Sequence, residues 1–315
     1  MMNLPYADRG IRLTGVGAAL PDKVLTNADL THDMDTSDAW IRERTGIGQR
    51  HVGGTTSGLA TDAARQAMER AGVVPADIDL VILATTSPDH TCPGTSPAVA
   101  WALGLDCGAF DLQAACSGWV YGLIAARGFI AQGMQRILVI GSETLDRITD
   151  YTDRGTGILF GNGAGAAVVE ALPGGDDLLG WDIGADGNYI SILYAEPGDT
   201  LKMDGKEVFR QAITAMQRST ARTLAMAGLT VADVDVVIPH QANVRIVEAA
   251  WKRIGFTMDQ TVMILENTGN TSAASIPLAL DHALATDRIQ PGQLVLFLGF
   301  GAGMTWASAL VRWPG

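Results

Sequence analysis

The sequence predicts an α/β protein built from two related halves, and three observations carry that expectation. Short runs of aliphatic and β-branched residues alternate with amphipathic segments, the pattern of strands covered on both faces by helices. A stretch of the first half recurs in the second. No serine-, glycine- or proline-rich linker parts the copies, so they read as one pseudo-symmetric molecule spanning 1–172 and 173–315.

The repeat is explicit. Ala71-Gly72 followed by Ala76-Asp77-Ile78-Asp79-Leu80-Val81-Ile82 returns 156 positions later as Ala227-Gly228 and Ala232-Asp233-Val234-Asp235-Val236-Val237-Ile238. In each copy an amphipathic helix (61–71 and 220–227) ends at a glycine suited to the left-handed C-cap, and an acidic turn leads into an apolar strand. Farther on, the strand at 136–141 matches the one at 293–299. Each is followed by a glycine-rich turn and a closing strand, 166–169 in one half and 307–311 in the other.

Composition limits the function. With 47% hydrophobic and 18% charged residues over 315 positions, the chain can bury a full core without covalent staples. Its 34 acidic against 22 basic residues leave a net charge of −12, which opposes nucleic acid and anionic membrane as partners; an acidic protein partner needs a local basic patch. Three cysteines, Cys92, Cys107 and Cys116, lack both an even count and metal-ligand spacing. They predict a reduced, cytoplasmic protein without a disulfide framework or metal site. Met1 to Arg12 holds no signal-like apolar run, and no stretch is long enough to cross a bilayer.

Three strand ends carry chemistry. Phe110 to Trp119 runs from a strand into an apolar helix that stops at Gly133, which puts Cys116 at the helix N-terminus. The helix dipole there predicts a lowered thiol pKa and a nucleophile; a buried, inert cysteine explains the local sequence equally. His240 leaves the end of the repeated strand, and Asn243 is placed to cap a helix running to Gly255. Asn270 opens a turn into the helix 276–284, where it reads either as a cap or as a functional amide. The Asn270 turn occupies the place in the second half that the Cys116 turn occupies in the first. Pseudo-symmetry therefore brings both helix starts to the centre, with cysteine, histidine and asparagine in one pocket fit for covalent thioester chemistry.

These residues resemble a family. Ala115-Cys116-Ser117-Gly118, Pro239-His240-Gln241-Ala242-Asn243 and Gly269-Asn270-Thr271-Ser272-Ala273-Ala274-Ser275 look like the three active-site motifs of β-ketoacyl-acyl carrier protein synthase III, the initiating condensing enzyme of type II fatty-acid synthesis. The likeness covers essentially the whole chain, through Arg44-Thr45-Gly46-Ile47, Thr152-Asp153-Arg154-Gly155 and Phe160-Gly161-Asn162-Gly163-Ala164-Gly165.

The resemblance implies a thiolase-like five-layer α-β-α-β-α fold and a homodimer. It implies that Cys116 takes the acyl group from an acyl-CoA, with the N–H groups of Cys116 and Ala302 as oxyanion hole. His240 and Asn270 then donate to the enolate formed as malonyl-acyl carrier protein loses CO2. It further implies CoA contacts at Trp40, Arg44, Arg154, Met203, Gly205, Phe209, Ala242 and Asn243, with Trp40 and Arg154 sandwiching the adenine. Lys206 departs from the pattern, standing where an asparagine often meets the pantetheine amide. The acyl pocket is expected at Cys92, Phe160 and Phe300. Cys92 stands where acetyl-selective members often carry a phenylalanine, so longer acyl groups are expected to fit. Arg245, Lys252 and Arg253 are expected to dock the carrier protein. Neither cofactor nor metal is implied.

Two other readings stand beside this one. The scaffold also serves starter-unit ketosynthases and acyltransferases of specialised metabolism, and a silent carrier-binding subunit is a third possibility, disfavoured by the retained trio. The glycine-rich stretches 161–165 and 299–303 lack the lysine of a P-loop and open no helix, which excludes a dinucleotide fingerprint.

Overall fold

A computed structural model describes residues 9–32 and 34–314; residues 1–8, within the stretch read above for a signal-like run, lie outside them. The strands are β1 (Arg9–Ala19), β2 (Val24–Thr26), β3 (Gln49–His51), β4 (Leu80–Ala84), β5 (Gly108–Leu112), β6 (Arg136–Glu143), β7 (Gly163–Pro173), β8 (Leu178–Ala185), β9 (Leu193–Tyr194), β10 (Lys202–Met203), β11 (Val236–Pro239), β12 (Leu294–Gly301) and β13 (Thr305–Arg312). The helices are α1 (Asn27–Leu30), α2 (Asp38–Thr45), α3 (Thr56–Ala71), α4 (Ser96–Ala102), α5 (Gly118–Ile130), α6 (Gly205–Ala227), α7 (Val244–Ile254), α8 (Leu265–Thr268) and α9 (Ser275–Ala285).

Two sheets hold the repeat. The first has the order β1-β7-β6-β4-β5; the second, read from its far edge, runs β8-β13-β12-β11. Positions correspond one to one: β6 and β4 are parallel, as are β12 and β11, while the remaining shared pairs are antiparallel. The second sheet's counterpart of β5 is reduced to a single parallel bridge between Val237 and Thr261.

Helices complete five layers. α3 and α4 cover the outer face of the first sheet, α5 and α9 fill the space between the sheets, and α6 with α7 covers the outer face of the second. Strands buried on both faces need apolar residues at every position, which is why β4, β6 and β12 lack polar alternation. Between the sheets, Trp119 and Leu123 of α5 and Ile276 and Leu280 of α9 pack with Ile82, Val139 and Phe297. The Trp119 ring meets Phe297 edge-on at 5.3 Å. Each such side chain contributes about 1.5–3 kcal/mol on burial.

The expected C-caps form, with Gly72 at φ +67° and Gly228 at φ +68°. Both helices start earlier than the repeat suggests. The Thr55 side chain accepts from Gly58, and Asp204 accepts from the N–H groups of Lys206 and Glu207, so capping rather than the repeat sets their origins. The glycine-rich stretches also differ from expectation: Gly163 and Gly165 lie in β7, and Gly299 and Gly301 lie in β12. They are glycines because other backbone approaches there. A Cβ on Gly165 would lie 2.7 Å from that of Pro277, and one on Gly301 would lie 2.6 Å from the Cys116 nitrogen.

Candidate active site

Two turns from the two halves meet at the centre. Ala115 precedes Cys116 with φ +46°, and Ser272 precedes Ala273 with φ +47°. Each opens a 3-10 turn, Ala115–Ser117 or Ser272–Ala274, that passes into α5 or α9. A left-handed conformation costs a residue with a Cβ about 1–2 kcal/mol, so both turns are held by their surroundings. The glycines of the opposite sheets do the holding. Gly299 of β12 lies under the first turn, where a Cβ would come within 2.9 Å of the Ser117 Cα, and Gly141 of β6 lies under the second, where a Cβ would overlap the Ala273 carbonyl.

The α-helix starts at Gly118, so Cys116 stands in the 3-10 turn before it rather than in the first α-helical turn. This alters its chemistry. Burial pushes the thiol up to about 12, the negative charge of Glu143 adds to the rise, and a hydrogen bond with Ser272 only partly offsets it. Burial thus works against the expected lowering: dehydration of the sulfur disfavours the thiolate that a helix end would favour.

His240 follows β11, its N–H donating to the Leu298 carbonyl at 2.7 Å. The ring is buried, meets Phe300 edge-on at 5.1 Å, and places Nδ1 2.7 Å from the Ser275 hydroxyl. Burial presses its pKa down to about 3, so the imidazole is neutral. Asn270 is fixed on three sides. Its N–H donates to Leu159, its carbonyl accepts from Gly161, and its side-chain Oδ1 accepts from the Ser272 N–H at 2.9 Å. With the oxygen so committed, the amide NH2 is the group left for a ligand.

Cys116, His240 and Asn270 line one cavity of about 250 Å³. Its walls also include Trp40, Arg44, Arg154, Met203, Gly205, Phe209, Ala242, Asn243, Phe160, Phe300 and Ala302. A second cavity, about 360 Å³, reaches Cys116 from another side and is walled by Leu145, Ile148, Phe160, Ile190, Leu193 and Leu201. Phe160 borders both. Phe300 borders only the first, and Cys92 borders neither; it is exposed. Phe300 packs on the His240 ring, and Cys92 sits at the surface of the single chain.

Trp40 and Arg154, the pair expected to hold the adenine, lie against each other. The Arg154 guanidinium lies directly on the Trp40 ring, 3.9 Å from its centroid, with Arg44 at 5.5 Å. No base fits between them unless Arg154 withdraws. Outside the cavity, Arg44, Lys206 and Arg245 surround a shallow groove at its mouth, while Lys252 and Arg253 are exposed in the last turn of α7. Cations there also favour the helix C-terminus.

Two participants escaped sequence reasoning. Glu143 is fully buried and accepts from the Thr86 N–H at 3.0 Å, the Ser87 N–H at 3.1 Å and the Ser87 hydroxyl at 2.6 Å. The Ser272 hydroxyl hydrogen-bonds with both this carboxylate and Cys116. A charge closing an otherwise apolar strand was the available signal for Glu143. For Ser275 there was none beyond its place in the Asn270 motif.

Comparison with known proteins gives the family. Residues 110–187 match the family model described as 3-oxoacyl-[acyl-carrier-protein (ACP)] synthase III, and residues 224–313 match that of its C-terminal part. The chain is 47% identical over 318 residues to the β-ketoacyl-[acyl-carrier-protein] synthase III of Paramagnetospirillum magneticum, covering 96% of this chain and 98% of the relative. The crystal structure of 3-oxoacyl-(acyl carrier protein) synthase III from Pseudomonas aeruginosa superposes with a TM-score of 0.93 at 40% identity, covering 97% of this chain and 99% of that one. The priming β-ketosynthase of the R1128 polyketide pathway gives a TM-score of 0.93 at 35% identity, covering 99% and 98%. With its five layers, its two joined turns and full-length relatives, the chain belongs to the β-ketoacyl-[acyl-carrier-protein] synthase III family.

Proposed function

We propose that this protein condenses an acyl-CoA primer with malonyl-acyl carrier protein, with loss of CO2, and so initiates fatty-acid synthesis. The observation that carries the reading is the meeting of Cys116, His240 and Asn270 in one buried cavity. In the first step Cys116 Sγ forms a bond to the thioester carbonyl, the bond to the CoA sulfur breaks, and the thiol proton passes through His240 Nε2 to the departing CoA thiolate. Thiol and imidazole are both neutral beforehand, so proton transfer accompanies attack instead of preceding it. The N–H groups of Cys116 and Ala302 serve as oxyanion donors.

In the second step the malonyl C–CO2 bond breaks and negative charge gathers on the thioester oxygen. The Asn270 amide donates to it, since this group never loses its proton. The carbanion attacks the acyl-cysteine, the new C–C bond forms, and Cys116 leaves as a thiolate that takes one proton from solvent. His240, neutral and buried, assists as a donor only in the tautomer that carries its proton on Nε2.

The pantetheine arm enters past Trp40, Met203, Gly205 and Phe209, between Ala242, Asn243 and the cations Arg44 and Arg154. The apolar second cavity takes the acyl chain, and its walls favour primers longer than acetyl. Arg245, Lys252 and Arg253 supply the local positive patch an acidic carrier needs on a chain of net charge −12. A homodimer is supported by β5, an edge strand of the first sheet, and by Trp101, 84% exposed on the adjoining α4. Across the dimer interface Cys92 meets the partner's acyl pocket. Substrates suffice and no cofactor takes part. The protein works in the cytoplasm; among the described residues no helix is long and apolar enough to cross a membrane.

Intact-mass measurement after incubation with acetyl-, butyryl- and octanoyl-CoA tests this reading. An adduct of acyl mass that disappears on adding malonyl-acyl carrier protein, with CO2 and a two-carbon extension, is expected. An ester or amide product in place of the extension refutes condensation and favours acyl transfer.

A further inference from the structure

Glu143 closes β6, and its side chain takes over where a neighbouring strand stops. β4 and β6 pair in parallel as far as Ala84 and Gly141, so two residues farther on Thr86 would stand beside Glu143. The chain leaves the sheet instead. Buried backbone donors still need an acceptor, and the N–H groups of Thr86 and Ser87 turn to the Glu143 carboxylate. One oxygen serves both: Oε2 accepts from the Thr86 N–H at 3.0 Å, the Ser87 N–H at 3.1 Å and the Ser87 hydroxyl at 2.6 Å. An N–H only donates, so the direction of the two backbone bonds is fixed. With Oε2 so occupied, a proton taken up by the carboxyl would sit on Oε1, and the anchor holds in either protonation state.

Two parts of the second cavity's wall meet at this anchor. Thr86 borders that cavity together with Cys116, and so do Leu145 and Ile148 of the 3-10 turn that follows Glu143. The Ser87 hydroxyl, which accepts from the Thr144 N–H at 2.8 Å, laces the two parts together. Beyond Ser87 the segment is pinned separately. Asp89 accepts from the N–H groups of Thr56 and Ser57 at the start of α3, and Arg147 donates to the carbonyls of Pro88 and Asp89. Glu143 therefore governs the near end, the part that faces the cavity.

We infer that Glu143 is a positioning residue for primer selectivity: by holding the Thr86–Ser87 turn it fixes one wall of the second cavity beside Cys116, and so sets how long an acyl chain fits. The inference rests on the proposed function for the occupant of that cavity. A fixed wall rejects excess length by overlap, and one methylene in such a pocket is worth about 10- to 200-fold. A wall free to retreat gives up part of that discrimination. What the wall needs is an acceptor oxygen in the Oε2 place, which a carboxamide also supplies.

The experiment has a structural and a kinetic arm, both on the full-length protein. Hydrogen exchange should find the Thr86 and Ser87 amides protected in the parent and about tenfold faster or more in Glu143→Ala, whose acceptor is gone. Glu143→Gln should retain the protection. For the kinetic arm, acylation of Cys116 is timed by intact mass with acetyl-, butyryl- and octanoyl-CoA. In Glu143→Ala octanoyl should gain on butyryl by about five- to tenfold, while Glu143→Gln keeps the parent ratio. An unchanged ratio or unchanged exchange in Glu143→Ala, or a uniform loss with all three thioesters, overturns the assignment. So does Glu143→Gln behaving as Glu143→Ala does, since charge and not hydrogen-bond acceptance would then be the agent. Should Glu143→Ala fail to fold, Ser87→Ala, which removes the hydroxyl that Oε2 holds, is expected to move the ratio the same way by about two- to threefold, and no movement overturns the proposal. If the parent takes up no acyl group at all, the proposed function fails, while the exchange rates still report on the anchor.

Discussion

The turn before α5 and the turn before α9 follow one backbone path and carry opposite chemistry. Left-handed Ala115 and Ser272 stand at equivalent places, 157 positions apart, and both chains proceed through a 3-10 turn into a helix of the central layer. The same spacing pairs Cys116 with Ala273 and Gln113 with Asn270. Gln113 borders the second cavity, whereas Asn270 borders the first. The repeat thus supplies two equal cradles, and the side chains alone put a thiol in one and a carboxamide in the other. A symmetric frame suits this division because each turn rests on a glycine of the opposite sheet, so the separation of the groups is set by the packing of the two halves.

The sharpest way to break the comparison is to make the two turns alike. Cys116→Ala gives the first turn the residue of the second; we expect condensation to fall by about 10⁴-fold or more and no acyl adduct by mass. Next in size is the pH response of the thiol. Its folded pKa is raised from an ordinary 9.0 to about 12, so the thiolate fraction grows with pH throughout the working range. Alkylation of Cys116 by iodoacetamide should therefore rise close to tenfold per pH unit from about pH 6 to about pH 9 without a plateau, since the thiolate is the reacting form. A plateau near neutrality would show that the helix dipole prevails over burial after all.

Asn270→Ala removes the second turn's donor. CO2 release from malonyl-acyl carrier protein should drop by about 10²–10³-fold while acylation by acyl-CoA changes only a few-fold. Equal losses in both steps would deny the division of labour between the turns. The smallest effects concern the cradles themselves. Gly141→Ala and Gly299→Ala should each destabilise the fold by about 1–3 kcal/mol in denaturant titration, because a Cβ there must displace backbone. Gly141→Ala should cost more, since its Cβ would overlap a carbonyl oxygen while that on Gly299 meets a Cα at 2.9 Å.

Much of this was legible in the residues. The 156-residue recurrence announces two sheets of one topology, and the glycines at 72 and 228 mark helix ends because only a residue without a Cβ takes φ near +67° cheaply. Cys116 and His240 stand out because each follows an apolar strand, where α/β proteins place their sites, whereas Asn270 follows the short helix α8 and stands out by its place in the repeat. Glu143, Ser272 and Ser275 stand out far less, since serine and glutamate are commonplace and their roles depend on partners distant in the chain. Arg154 on Trp40 and the surface position of Cys92 likewise follow from packing that local pattern does not encode.

The amino-acid sequence by itself determined the duplicated α/β frame, the order of its strands and helices, and the three kinds of functional group delivered to the centre. Only the tertiary structure decided how those groups are charged and aimed. Proton affinity depends on how much water is excluded and on which dipoles stand within a few ångströms. At Cys116 and His240 those surroundings come from both halves of the chain, and the burial they create, which a rule about one helix end leaves out, pushes the thiol up and the imidazole down.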